Sequence, residues 1–160
     1  MAVMLKELTP ALTIMSAGLV GLEGRDMEST ARAVAEQNGL SCGEHVARKL
    51  TGEMCRESDL ILVMESSQKE RLIQKFPEAT GKVFLLTHWN GKHDIPDPYK
   101  RGRGAYERIY PMMEAATRAW TKKTVGAPLE ARTSKGVGRR VIYREKKRKP
   151  FVPQAEHLQL

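Results

Sequence analysis

The chain has 160 residues, 41% of them hydrophobic, enough to bury the core of one domain. No apolar run approaches the length of a bilayer span. Met1 to Leu12 carries Lys6 and Glu7 and has no apolar stretch with a cleavage site, so neither a membrane span nor a secretory leader is expected. Two cysteines, Cys42 and Cys55, make no disulfide framework, and the expectation is a reduced, cytoplasmic protein.

The formal net charge of +8 is concentrated at one end. Residues 126–160 hold nine Lys and Arg against three acids, whereas residues 1–125 hold 18 against 16. The basic character therefore belongs to the tail. Arg139-Arg140 and Lys146-Lys147-Arg148-Lys149 lie there among Gly, Pro and polar residues, which reads as a basic, disordered, solvated tail. Its alternative role is weak attraction to an anionic partner, nucleic acid or membrane surface.

In chain order, Met1–Leu8 reads as a short helix ended by Pro10. Leu12–Met15 reads as a strand, with the β-branched pair Thr13-Ile14; Ser16-Ala17-Gly18 closes it, and Gly-rich sequence to Gly24 reads as loop. Glu28–Gln37 has an apolar stripe of Ala31, Val34 and Ala35 and the stop signal Asn38-Gly39, which predicts a helix. A further helical turn or two falls within His45–Cys55. Asp59–Met64 is a continuous apolar run without alternation, as in a parallel strand buried on both faces. Ser66–Phe76 predicts a helix capped by Ser66 or Ser67. Lys82–Thr87 predicts another buried strand. Tyr106, Ile109, Tyr110, Met113, Ala116 and Trp120 recur at helical spacing within a last helix, about Gly104 to Lys123, which Pro111 should kink or rob of a carbonyl partner.

Alternating strands and helices imply α/β architecture with a parallel sheet and a site outside the carboxyl ends of the strands. The loop after the Lys82–Thr87 strand lies at that end and carries Ile95-Pro96-Asp97-Pro98-Tyr99. Each proline fixes its own φ and pushes the preceding residue into an extended conformation. Asp97 is thus held on a stiff turn, which suits a general acid; the same pattern also suits an ordinary surface turn. His88, His93 and Asp94 match no strong metal-ligand spacing. Trp89 is expected to pack at a strand end and Trp120 in the core.

Ser16-Ala17-Gly18-Leu19, Asp59-Leu60-Ile61-Leu62-Val63-Met64-Glu65, Gly81-Lys82-Val83, His88-Trp89 and Asp97-Pro98-Tyr99 occur in an order and spacing that resemble the low-molecular-weight protein tyrosine phosphatases, specifically the bacterial exopolysaccharide and capsule branch. The resemblance covers Met1 to about Lys123. It implies a three-layer α/β/α fold over residues 1–125 and hydrolysis of protein phosphotyrosine through a cysteinyl-phosphate. It implies no cofactor and no metal. Its partner would be a tyrosine-phosphorylated protein such as a bacterial tyrosine autokinase. By resemblance, Asp97 is the general acid and base, and Tyr99 receives the substrate ring.

The family's first strand and Cys-x5-Arg phosphate loop would precede Met1 in this alignment. The expectation is therefore a domain without its first strand and nucleophile loop, inactive as written. That first strand lies inside the family's sheet, so two strands should lack a backbone partner unless strands rearrange or another segment fills the gap. The one Cys-x5-Arg in the chain, Cys42 to Arg48, follows a helix stop too closely to have a strand before it and carries Glu44 where a phosphate nest would be, so it reads as a decoy. The alternatives are a mis-set start or truncated gene whose true enzyme is longer, a non-catalytic remnant or binding module with a basic tail, and arsenate reduction on the same fold. The last needs thiols at places where Cys42 and Cys55 do not sit.

Overall fold

The computed structural model describes residues 1–19, 23–125 and 140–145. Its elements in chain order are α1 (Ala2–Leu8), β1 (Thr13–Gly18), α2 (Ser29–Gln37), α3 (Gly52–Glu57), β2 (Leu60–Val63), α4 (Ser66–Lys75), a 3-10 turn at Pro77–Ala79, β3 (Val83–Leu85), α5 (Arg103–Val125) and β4 (Arg140–Glu145). The sheet is wholly parallel and its order is β1-β4-β2-β3. Helices cover both faces, giving the three-layer α/β/α arrangement expected from the sequence.

The two cores follow from the period of two along β2. Leu62 and Met64 face one side and join Leu5, Ile14, Leu86, Ile95, Ile109, Ala116 and Trp120 beneath α1 and α5. Ile61 and Val63 face the other and join Leu50, Cys55, Leu72, Ala79 and Val83 beneath α3 and α4. Ile61, Leu62 and Val63 are all fully buried, as an unalternating apolar run requires. α5 runs continuously through Pro111. The lost N–H leaves the carbonyl of exposed Glu107 to water, so the helix tolerates the proline. Trp120 is core, and its indole N–H donates to the Leu86 carbonyl at 2.7 Å.

Four expectations are corrected. β1 continues through Ser16-Ala17-Gly18, where the strand was expected to close, because these small residues pair with β4 along its whole length. The third helix is confined to Gly52–Glu57, capped by the Thr51 hydroxyl, and residues 40–51 are irregular. Ser66 does not cap α4. It is the first helical residue, and Asp94, far along the chain, accepts from both its N–H and its hydroxyl at 2.8 and 2.7 Å. The largest correction concerns the tail. Arg140–Glu145 is a strand, and it lies between β1 and β2, the position that the resemblance assigns to the family's first strand. The reading of residues 126–160 as disordered fails for these six residues, and the boundary at residue 125 does not divide the sheet. The rest of the tail, including Lys146–Lys149, lies outside the described residues.

Trp89 is 47% exposed, packed edge-on to His88 with ring centres 4.6 Å apart and 5.1 Å from the Lys123 ammonium. The two tryptophans should therefore respond differently to the same change. Trp120→Phe strands the buried Leu86 carbonyl and should cost about 1–3 kcal/mol in a denaturant titration. Trp89→Phe should stay within about 0.5 kcal/mol.

Candidate active site

The chain brings Asp97 to the carboxyl end of the sheet by a series of backbone bonds. Leu86 N–H donates to the Val63 carbonyl at 2.7 Å, closing β3 against the end of β2. Ile95 N–H donates to the Met64 carbonyl at 2.9 Å, and the Ile95 side chain is fully buried. The loop between them is thus pinned at both ends. Asp97 is half-buried. Its N–H donates to the Glu65 carboxylate at 3.3 Å, and its own carboxylate accepts the Tyr99 N–H at 2.9 Å, an Asx turn between the two prolines. Arg101 N–H donates to the Pro98 carbonyl, and Lys100 (φ 62°) and Gly102 (φ 74°) turn the chain into α5. One oxygen of Asp97 is held by the turn, which aims the carboxyl group.

Asp97, Pro98 and Tyr99 form one wall of a cavity of about 370 Å³. Its other walls include the end of β1 (Ser16, Ala17, Gly18), Met64 from the end of β2, the N-terminal turn of α1, and Tyr106 and Tyr110 from α5. Arg25, His45 and Arg48 also line it. Sequence reasoning missed these three as cavity residues. Their placement depends on the irregular segment 40–51, which has no periodicity to read. That segment is tied down by long-range backbone bonds: Gly24 N–H to the Ala47 carbonyl at 2.9 Å, Ala47 N–H to Arg25 at 2.8 Å, Gly18 N–H to Arg48 at 2.9 Å, and Leu50 N–H to Gly18 at 2.7 Å. The result is a largely apolar cavity lined by two guanidinium groups (Arg25, Arg48), three carboxyl groups (Asp26, Glu28, Asp97) and three phenols; the phenols suit an aromatic ring and the guanidinium groups an anionic group beside it.

At the base of α2, Glu28 accepts the Ala31 N–H at 3.0 Å. Burial raises the pKa of Glu28, but the Ala31 and Thr30 amides and the Tyr106 hydroxyl outweigh it and hold the carboxyl below its ordinary value. Burial first, then the same Glu28 contact, pushes the Tyr106 phenol far above its ordinary value, so it stays protonated at the cavity wall.

The two cysteines are elsewhere. Cys42 and Cys55 are buried, and neither lines the cavity. Burial, with Glu36 near Cys42 and Glu78 near Cys55, raises both thiol pKa values, the opposite of what an attacking thiolate needs. Within the Cys42-x5-Arg48 stretch, Arg48 reaches the cavity and Cys42 does not. No helix opens behind Cys42, since α3 starts only at Gly52. Asp94 serves α4, and among the described residues no group of three His, Cys, Asp or Glu side chains could hold a metal ion.

The sequence pattern described as "Low molecular weight phosphotyrosine protein phosphatase" matches residues 2–131. The chain belongs to that family. It is 41% identical over 119 residues to the low molecular weight protein-tyrosine-phosphatase Wzb of Salmonella typhimurium, covering 74% of this chain and 80% of that protein. Among solved structures it is similar to the tyrosine phosphatase Wzb from Escherichia coli K30 in complex with sulphate, with a TM-score of 0.72 and 38% identity over 75% of this chain and 84% of that one. It is similarly close to Vibrio vulnificus Wzb in complex with benzylphosphonate, with a TM-score of 0.72 and 38% identity over 75% of this chain and 85% of that one. Family membership confirms the resemblance drawn from the Asp97-Pro98-Tyr99 context and the strand order.

Because both thiols are buried with raised pKa values, iodoacetamide at neutral pH should label them at least about tenfold more slowly in the native protein than in denaturant. Time-resolved intact mass would show this. Rapid labelling of one cysteine in the native state would contradict the placement.

Proposed function

We propose that this chain retains the aryl-phosphate site of its family, with the proton donor in place and no thiol of its own within reach of the bound phosphoryl group. The observation that supports this is the cavity: Asp97 is aimed into it from a rigid turn, Tyr99 shares its wall, and neither cysteine lines it. In the family reaction a thiolate attacks phosphorus while the departing phenolic oxygen takes a proton. The same carboxylate then deprotonates the water that cleaves the phosphoenzyme. Asp97 is the residue for both proton transfers. Tyr99 receives the ring, and Arg25 and Arg48 supply positive charge for the phosphoryl oxygens.

The ligand on this reading is a tyrosine-phosphorylated protein, such as a bacterial tyrosine autokinase, met in the cytoplasm. No helix among the described residues is long and apolar enough to cross a membrane. The polypeptide binds phosphotyrosine and does not hydrolyse it.

Benzylphosphonate is a suitable probe in titration calorimetry. Saturable binding is expected, weakened about tenfold by Arg48→Ala, equivalent to about 1.4 kcal/mol. Asp97→Asn should tighten it several-fold, because a negative charge beside a dianion is removed. The 160-residue protein should show no turnover of p-nitrophenyl phosphate. Absence of binding would overturn the proposal. So would turnover that disappears in Cys42→Ser, which would place the nucleophile in the Cys42 loop.

A further inference from the structure

We propose that the gap between β1 and β2 is a strand-binding site, that Arg140–Glu145 is its resident occupant, and that the same segment supplied as a separate peptide binds there. This inference is independent of the aryl-phosphate reading.

Three observations carry it. First, the occupant lies outside the residues that the family pattern matches, which end at residue 131. Second, β4 fills a complete slot. It pairs in parallel with β1 from Thr13↔Arg140 to Gly18↔Glu145 and with β2 from Leu60↔Val141 to Leu62↔Tyr143. It pairs with β1 along its whole length and with β2 over Val141–Tyr143, the mode by which extended segments bind sheets.

Third, the walls of the slot are anchored without it. β2 is held on its other edge by β3, and the Val63 and Met64 carbonyls accept from Leu86 and Ile95. The end of β1 is held by the Gly18 bonds to Arg48 and Leu50, and its start follows α1, which packs against the same core. A slot with independently fixed walls is preformed for its strand. The strand is held on both sides by backbone pairing, to β1 and to β2.

Occupancy also bears on the cavity beside Asp97. Ser16, Ala17 and Gly18 form part of the cavity wall and pair with Tyr143, Arg144 and Glu145. The carboxyl end of the resident strand therefore lies at the cavity rim.

The test uses the full chain. In Ile142→Pro the resident strand loses a backbone donor and cannot pair in the middle of a sheet. A fluorescent peptide of residues 138–147 should bind this variant saturably, at least tenfold more tightly than it binds the wild type, whose slot is filled. The same peptide carrying the proline should not bind. Because Ile142→Pro could also impair folding, a second experiment leaves the strand intact. In a Ser16→Cys, Tyr143→Cys chain, mild oxidation should give an intrachain disulfide between those positions, read by peptide mapping of a monomer. In a Ser16→Cys chain, a peptide carrying cysteine at the position of Tyr143 should be captured at residue 16. Failure of the disulfide to form, or its formation between chains, would overturn the assignment of the resident strand. A peptide that neither binds the proline variant nor is captured would overturn the strand-binding site.

Discussion

Everything in this structure depends on backbone pairing in the middle of the sheet. β1 carries Ser16, Ala17 and Gly18 to the site, and β2 carries Met64 and the anchor for the Asp97 loop. The two strands are not neighbours. Between them is a space one strand wide, and a buried strand with an unpaired edge leaves donors and acceptors costing roughly 1–3 kcal/mol each. Against a net stability of about 5–15 kcal/mol, several such groups weigh heavily, so a strand in this slot supplies much of the margin. Arg140–Glu145 removes that cost. The cores on either face, the pinned 40–51 segment and the aim of Asp97 are all built on a sheet that this strand closes.

The sequence made much of this readable. The unalternating run Leu60–Met64, the helical stripe from Tyr106 to Trp120 and the alternation of strands with helices were enough for α/β architecture with a parallel sheet; the three layers followed from the family resemblance. The proline bracket around Asp97 was enough for a rigid, sheet-end carboxylate. Those signals are local and strong, because each follows from burial or from a fixed φ. That the sheet needs a strand between β1 and β2 was also foreseeable from the resemblance.

What filled the gap was not foreseen. Val141-Ile142-Tyr143 is a short β-favouring run, but it is bracketed by Arg139-Arg140 and Lys146–Lys149, and charge runs of that kind normally mark solvated chain. A strand paired on both sides needs few β-favouring residues of its own, and pairing energy from the sheet outweighed the local composition. Arg25, His45 and Arg48 were missed for a related reason. Their convergence on the cavity is set by hydrogen bonds from Gly18 and Gly24 to residues more than twenty positions away, which leave no periodic trace. Cys42 and Arg48 shared a suggestive spacing, yet the fold sends the guanidinium to the cavity and the thiol into the protein.

The most direct test of this account is native-state amide hydrogen exchange on the intact chain, resolved to single residues across β1. If Arg140–Glu145 pairs with β1, alternate amides between Thr13 and Ala17 will exchange slowly, with protection comparable to that of Ile61–Val63. If every β1 amide exchanges at loop rates while β2 and β3 stay protected, the sheet is not closed by its C-terminal strand and the account fails.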